Sequence, residues 1–265
     1  MAKTLNIFFI GDINGKPGMT LVSTLYKQYV QKYEIDFCIV NGENVTEGKG
    51  IDEADVKTLF EMGVHVITTG NHLWDRWTAK SMLSKERNVL RPLKYPKENP
   101  GNGFVVYDLK EKGRVGVVNI QGRTFMQTID DPFRAADWAI SKIIHDTKVI
   151  IVDMHAEATA EKMAFAWHLD GRVSAVVGTH TNIPTSDSRI LPKGTAYITD
   201  VGMSWPYDSV IGMKKEIAIR RFQFQTPFKF EIAEHDVRMC AVYIQVDTET
   251  GKALKIEQII FPSFQ

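Results

Sequence analysis

Short runs of Ile, Val and Phe alternate along the chain with longer stretches in which apolar residues recur every three or four positions. A nearly continuous apolar run predicts a strand covered on both faces, and the longer period predicts a helix. The predicted strands span residues 5–10, 36–40, 65–69, 115–120, 148–153 and 174–177. The predicted helices span residues 19–33, 52–62, 75–84, 132–146 and 158–169. Asp52 is the expected N-cap of its helix, and Pro132 suits a first helical position.

Further apolar runs follow in the last part of the chain. They predict strands over residues 216–225, 228–232, 238–246 and 254–260. Strands that alternate with helices, followed by several more strands, indicate two packed sheets with helices on their outer faces, a layered α/β sandwich. The proline- and glycine-containing segment 91–103 predicts a loop, and no Ser/Gly linker, low-complexity tract or fixed repeat is found. We therefore expect a single domain over residues 1–265.

Composition and charge remove two classes of partner. The chain is 44% apolar and 24% charged, and 32 basic side chains balance 32 acidic ones. Nonspecific binding to nucleic acid or to an anionic membrane therefore has no electrostatic support. No apolar run approaches the ~20 residues that cross a bilayer, and Gly11-Asp12 interrupts the short N-terminal run where a signal peptide would continue. Cys38 and Cys240 lie far apart in apolar segments, which favours buried thiols and a cytoplasmic location.

Polar residues that can bind metals follow successive predicted strands. The motifs are Gly11-Asp12-Ile13-Asn14-Gly15, Asn41-Gly42-Glu43-Asn44, Gly70-Asn71-His72, Met154-His155-Ala156-Glu157 and Gly178-Thr179-His180-Thr181-Asn182. In an open α/β sheet the carboxyl ends of the strands face one crevice, so these side chains are expected to converge. Carboxylate, imidazole and amide ligands together suit a divalent transition metal such as Mn, Fe or Zn. They exceed what one tetrahedral zinc needs, so two metals bridged by a carboxylate use them better.

The prediction of a metal site rests on the combination of these motifs and not on any single residue. An aspartate after a strand, such as Asp12, is often only a helix cap or a turn residue. A lone loop histidine, such as His155 or His180, is usually structural. His72, His155 and His180 differ from the other histidines of the chain because each directly follows a predicted strand.

Taken in order, these motifs resemble those of the calcineurin-like metallophosphoesterases. The chain is most similar to their YmdB-like bacterial branch, in which Glu replaces the Asp that the wider superfamily has in the second motif, here at Glu43. The segments Gln121-Gly122-Arg123, Asp130-Asp131-Pro132-Phe133-Arg134 and Asp200-Val201-Gly202-Met203 also resemble that branch. The resemblance covers nearly the whole chain and implies a four-layered α/β/β/α sandwich of two mixed sheets.

The resemblance also implies a dinuclear metal centre. The ligands would be Asp12, Glu43 and Asn44 for one metal and Asn71, His155 and His180 for the other, with Glu43 as the bridge. His72 would be the general acid. Two metals ~3.5–4 Å apart can activate a bridging hydroxide and neutralise charge on a phosphoryl group. An imidazole that titrates near neutral pH can protonate the leaving oxygen.

Asn182 departs from the family pattern, which has a metal-binding histidine two residues after position 180. An amide oxygen is a weaker and harder donor than imidazole, so the first metal site is expected to be looser and shifted toward Mn or Mg. Asn14, two residues beyond Asp12, is expected to compensate in part through an oxygen or water-mediated contact to the same metal.

These observations predict a metal-dependent phosphodiesterase. The resemblance implies cyclic nucleotides (2′,3′ or 3′,5′) as small-molecule substrates, two divalent metals with Mn or Fe favoured over Mg or Zn, and a homo-oligomer. Two alternatives stay open: a phosphomonoesterase on nucleotides or small phosphates, and a regulatory or binding protein with a degraded first metal site. Arg123 could contact a substrate phosphate or form a salt bridge. The aromatic loop 202–207 could stack on a base or pack in the core.

Overall fold

Two β-sheets stacked face to face form the centre of the protein, with helices on both outer surfaces. The computed structural model describes residues 4–96 and 98–264, so residues 1–3 of the N-terminal stretch considered above lie outside the described part. The strands are β1 Thr4–Ile10, β2 Asp12–Ile13, β3 Phe37–Asn41, β4 Val66–Thr68, β5 Val89–Leu90, β6 Phe104–Asp108, β7 Arg114–Gln121, β8 Ile150–His155, β9 Ala175–Thr179, β10 Arg189–Ile190, β11 Ala196–Ile198, β12 Met203–Pro206, β13 Val237–Asp247 and β14 Ala253–Phe261. The α-helices are α1 Gly15–Lys32, α2 Glu53–Met62, α3 Ala79–Lys85, α4 Pro132–Ile143, α5 Thr159–Leu169 and α6 Lys215–Phe224. The predicted four-layered α/β/β/α sandwich of two mixed sheets is confirmed.

The strand order brings the loops after several strands to one edge. The first sheet runs β2-β12-β13-β1-β3-β4-β5, with β14 also paired to β13, and the second runs β10-β11-β9-β8-β7-β6. Strands β1, β3 and β4 are parallel neighbours, as are β7, β8 and β9. In the second sheet Gln121, His155 and Thr179 are in register at the carboxyl ends of adjacent strands. The residues that follow these strands are therefore neighbours in space.

Alternation along the strands divides the apolar core into layers. In β1, Ile7 and Phe9 lie in the cluster between the two sheets, whereas Phe8 and Ile10 pack on the other side, in the cluster that includes residues of α1 and α2. All four are fully buried. Full burial of one such side chain contributes ~1.5–3 kcal/mol, which explains why these strands are apolar on both faces. A third cluster joins the second sheet to α4 and α5.

Side-chain caps are present at two helices, and the one at Asp52 was predicted. The Asp52 carboxylate accepts hydrogen bonds from the backbone N–H groups of Ala54 and Asp55 at the start of α2. Asp131 does the same at the start of α4, where Pro132 occupies the first turn. Each cap satisfies N–H groups that have no partner within the helix. None of the helices formed by the described residues combines the length and apolar composition needed to cross a bilayer.

The predictions for the segments 216–225 and 228–232 are wrong. The first is helix α6, and the second has only an isolated bridge between Met213 and Ile232. The alternating Ile and Phe residues suggested a strand with one buried face, yet Ala218 is the only residue of α6 that is buried. Without a sheet to bury that face, the helix-favouring Lys, Glu, Arg and Gln residues determine the local structure. The predicted helix 75–84 is also shorter, because Asn71–Asp75 forms a 3-10 helix and α3 begins at Ala79.

Candidate metal centre

Side chains from both sheets meet at the carboxyl edge of the strands. Ligand atoms of Glu43, His155 and His180 all lie within 4.8 Å of one another. His155 Nε2 lies 3.2 Å from Glu43 Oε1 and 3.1 Å from His180 Nδ1. The Asn71 side-chain oxygen is 3.0 Å from the same His155 nitrogen. The residues predicted for the second metal are therefore brought together around one point.

Most of the residues predicted for the first metal form an adjoining group, in which Asp12, Glu43 and Asn44 are buried. Asn44 donates from Nδ2 to Asp12 Oδ2 at 2.7 Å, and a backbone bridge joins Asn14 to Asn44. Asn182 lies on the loop after β9, two residues before Pro184. Pro184 packs against Gly202, and Gly202 packs against Gly11, where a Cβ would lie 2.1 Å from the Gly202 carbonyl oxygen. The loop after β9 therefore borders the segment that carries Asp12.

Several oxygens of this group have no donor. Among the described residues, Asp12 Oδ1, Asn14 Oδ1 and Asn182 Oδ1 are buried and have no hydrogen-bond partner. Buried polar atoms in native proteins almost always have a partner. Oxygen atoms that accept no hydrogen bond suit a hard divalent cation such as Mn²⁺ or Mg²⁺. The donor set therefore fits the metal predicted for this side of the site.

The electrostatics of the site also favour a cation. Burial raises the pKa of Asp12 to about 7. Burial, with a further contribution from the charge on Asp12, raises the pKa of Glu43 well above its usual range. Burial lowers the pKa of His155 and of His180, which keeps both imidazoles neutral and able to coordinate. Carboxylates buried together without a compensating charge are costly, and a bound divalent cation reverses that cost.

The loop conformation around the site is strained. His180 has φ 97° and Asn182 has φ 66°, both in the region that favours glycine. Such conformations cluster at ligand sites, where the surrounding structure maintains them. Gly70 serves a different purpose, because a Cβ at this position would lie only 2.0 Å from His155 Nε2. The chain needs glycine there so that Asn71 can approach the imidazole.

His72 lies at the rim of the group. Its backbone N–H donates to Glu43 Oε2 at 3.1 Å, and its Nδ1 lies 2.8 Å from Asp75 Oδ2. The His72 side chain is 35% exposed. A proton on Nδ1 shared with Asp75 leaves Nε2 to face solvent or a substrate. This placement suits the acid role predicted for His72.

Comparison with known proteins supplies the family. A family model described as YmdB-like protein matches residues 8–259. The chain belongs to the YmdB-like family. The resemblance inferred from the motifs is thereby confirmed.

Relatives of this YmdB-like protein match it over nearly its whole length. The 2′,3′-cyclic-nucleotide 2′-phosphodiesterase of Bacillus subtilis (strain 168) is 45% identical over 257 residues, which is 97% of each chain. A crystal structure of a hypothetical protein from Thermus thermophilus has a TM-score of 0.90 and 40% identity, covering 97% of this chain and 99% of that one. A crystal structure of a novel phosphatase from Mycoplasma pneumoniae has a TM-score of 0.92 and 36% identity, covering 98% and 94%.

Sequence reasoning missed the residues of the YmdB-like protein that orient His155. Its Nδ1 lies 3.0 Å from the Thr179 hydroxyl, which donates its own proton to Asp153 Oδ1 at 2.7 Å. Asp153 also accepts hydrogen bonds from Asn41 and Thr68 of the first sheet. Because the Thr179 proton is committed to Asp153, Nδ1 of His155 must be the donor and Nε2 is left free for a metal. The sequence signal that could have identified this arrangement was Asp153, a polar residue within the otherwise apolar strand β8.

The sequence of this YmdB-like protein left alternatives open for Arg123 and for the loop 202–207. Arg123 Nη2 lies 3.5 Å from Asp131 Oδ2, so the structure shows the salt bridge. Most of the loop 202–207 is strand β12, and Trp205 is 2% exposed. The aromatic side chain therefore packs in the core and is not available to stack on a base.

Proposed function

We propose that this protein is a metal-dependent phosphodiesterase that hydrolyses cyclic nucleotides, 2′,3′ or 3′,5′, with two divalent metals. The broader class, a phosphoric ester hydrolase, is confirmed by relatives named as a phosphodiesterase and a phosphatase. The observation that carries the finer proposal is the convergence of Glu43, His155 and His180 within 4.8 Å, beside buried oxygens that lack donors.

The metal ligands we propose are those predicted from the motifs. One metal would be held by Asp12, Glu43, Asn44 and Asn182, and the other by Glu43, Asn71, His155 and His180. Two divalent cations held by these residues would supply charge neutralisation of the phosphoryl group and would acidify a water for attack on it. Mn or Fe is favoured because the second set combines imidazole with carboxylate, and Mn or Mg suits the oxygen-rich first set.

The chain itself contributes the leaving-group proton. Two contacts position His72. Its backbone N–H donates a hydrogen bond to the Glu43 carboxylate, and its Nδ1 forms a hydrogen bond with the Asp75 carboxylate. These contacts fix the ring beside the carboxylate that we propose as the bridge. An imidazolium in that position, which carries a proton on each ring nitrogen, can donate the Nε2 proton to the departing ribose oxygen and become a neutral imidazole with its proton on Nδ1.

Metal analysis and turnover measured on one sample test the proposal. The chain is supplied with Mn²⁺, its metal content is determined, and hydrolysis of 2′,3′-cyclic AMP, 3′,5′-cyclic AMP and bis(p-nitrophenyl) phosphate is assayed. We expect about two metals per chain and diesterase turnover, both lost in Glu43→Gln. Glu47→Gln is the matched control, because this carboxylate is 81% exposed and pairs with Arg76. One metal or none, without turnover, would reject the proposal.

Two other functions have some support. The relative from Mycoplasma pneumoniae is described as a phosphatase, which favours a phosphomonoesterase, and faster turnover of p-nitrophenyl phosphate than of the diester would show it. Asn182 in place of histidine favours a regulatory or binding protein, and tight nucleotide binding without turnover would show that. A homo-oligomer and a cytoplasmic location stay predictions.

A further inference from the structure

A fully buried ion pair lies beside the loop that carries His180. Lys162 on α5 and Asp200, which follows β11, are each 1% exposed, and Nζ lies 2.8 Å from Oδ2. Removing two charges from water is costly, and an apolar pair of similar volume is often at least as stable. Stability of the fold alone is therefore a poor explanation for this pair.

Further hydrogen bonds of the pair reach the residues on either side of His180. Lys162 Nζ donates to the Thr179 carbonyl oxygen at 2.7 Å. Asp200 Oδ2 accepts from the Thr181 N–H at 3.0 Å and from its hydroxyl at 2.8 Å. His180 stands between these two anchors with φ 97°. A strained residue keeps its conformation only where its neighbours are held.

The same pair is connected to the rest of the site. Thr179, whose carbonyl Lys162 binds, uses its hydroxyl to orient His155. The second oxygen of Asp200 accepts from the Gly202 N–H at 2.8 Å, and Gly202 lies against Gly11, the residue before Asp12. One buried pair thus forms hydrogen bonds to the backbone on both sides of His180 and to Gly202, which packs beside the residue that precedes Asp12.

We propose that Lys162 and Asp200 are positioning residues that hold His180 in its left-handed backbone conformation and so build the site of the second metal. The part of this proposal that concerns the second metal rests on the proposed function. The backbone conformation of His180 is a property of the chain and can be tested without any metal.

The first test is Lys162→Met, which keeps the length of the side chain and removes its charge and donor. Mn²⁺ is titrated into the metal-free full-length chain, with free Mn²⁺ followed by electron paramagnetic resonance and Co²⁺ absorption spectra recorded in parallel. Outer residues that orient a ligand typically contribute ~10–100-fold to metal affinity. We expect a loss of that size at one site, a changed Co²⁺ spectrum, and the other site retained.

Asp170→Asn is the matched control. Asp170 follows α5, is 5% exposed and accepts hydrogen bonds from the backbone N–H groups of Lys193 and Thr195. This variant should lower the melting temperature and leave both metal affinities unchanged. Wild-type affinities and spectra in a folded Lys162→Met would overturn the proposal, and so would an equal loss of affinity in Asp170→Asn.

A crystal structure of metal-free Lys162→Met gives the second readout. We expect His180 to leave the left-handed region, and a retained φ near its present value would overturn the proposal. If the wild-type chain binds no metal, the proposed function fails while this readout still decides the role of Lys162. If Lys162→Met does not fold, the double variant Lys162→Met/Asp200→Asn is read in the same way, since it removes both charges and leaves neither one buried and unpaired.

Discussion

The Nδ1 atom of His155 lies 3.0 Å from the hydroxyl oxygen of Thr179. Since that hydroxyl donates to Asp153, the bond fixes which nitrogen of His155 carries the proton. The free Nε2 then points at Glu43, Asn71 and His180. A threonine at the end of one strand thereby sets the coordinating capacity of a histidine at the end of the next.

Replacing this threonine should separate metal binding from stability. We expect Thr179→Val to lose ~10–100-fold in affinity for Mn²⁺, because His155 loses the acceptor that fixes its tautomer. Thr195→Val is the matched control, since Thr195 is also buried and its hydroxyl donates to the Val173 carbonyl away from the site. Each variant should lose ~1–3 kcal/mol of unfolding free energy from unsatisfied partners. Equal metal affinities in the two variants would contradict this role for Thr179.

Removing the proposed acid should harm poor leaving groups most. We expect His72→Ala to lower turnover of 2′,3′-cyclic AMP by ~10²–10⁴-fold with metal content unchanged. Turnover of bis(p-nitrophenyl) phosphate should fall far less, because p-nitrophenolate leaves without protonation. His145→Ala, at an exposed position, is the control. A similar loss on both substrates would show that His72 does not donate the proton.

A substitution at position 182 should increase the affinity for the first metal. Asn182 Oδ1 is buried without a partner among the residues described, so a stronger donor there should tighten the first metal. We expect Asn182→His to raise the affinity for Zn²⁺ or Fe²⁺ ~10-fold or more, as measured by competition with a chelator. Asn182→Ala should lower it. An unchanged affinity in both variants would mean that position 182 is not a ligand.

His65 should make the fold sensitive to acid at a point away from the metal centre. Burial lowers the pKa of His65 below its usual 6.5, and its Nδ1 accepts the Cys38 N–H at 3.0 Å. The folded state therefore binds this proton less readily than the unfolded state, so the stabilisation is present above about pH 6.5 and is lost as the pH falls through the folded-state pKa. Denaturant titrations should show His65→Gln losing less unfolding free energy than wild type between pH 7.5 and pH 5. Exposed His145→Gln should keep the wild-type slope, and a wild-type slope in His65→Gln would refute the assignment.

The two thiols should be inert in the folded protein. Burial raises the pKa of Cys38 to about 12 and that of Cys240 to about 12. The thiolate is the reactive form, and both side chains are buried. A chromogenic disulfide reagent at pH 8 should therefore detect no thiol until denaturant is added, and then two per chain. Rapid reaction of either thiol in the native protein would contradict the burial of that thiol.

The local pattern of apolar and polar residues was sufficient to predict the central strands but not to predict helix α6. The strands around Phe9 and Ile151 are apolar on both faces because both faces are covered. Such strands are visible in the sequence as nearly continuous apolar runs. Ile217 and Ile219 show a different pattern, an alternation at every second position, and alternation indicates a strand with one buried face only where a partner strand exists. Whether one exists depends on the whole fold.

The convergence of the proposed ligands was predicted from the sequence, whereas the residues that support them were not. Asp12, Glu43 and His155 lie at or just after the carboxyl ends of strands, where the topology brings side chains together. Asp153 and Lys162 lie inside a strand and a helix, where a polar residue has no spacing that identifies its partner. Their role follows from which backbone and hydroxyl groups they meet in three dimensions, and those groups are distant in sequence.

The proposed ligands are divided between the sheets: Glu43 and Asn71 follow strands of the first, and His155 and His180 end or follow strands of the second. A metal bound among them would crosslink the two layers. Sliding of one sheet over the other would separate the donors, so binding and the registry of the sheets are thermodynamically linked. Apolar residues between the layers, such as Ile39 and Val177, then influence metal affinity without contacting the metal.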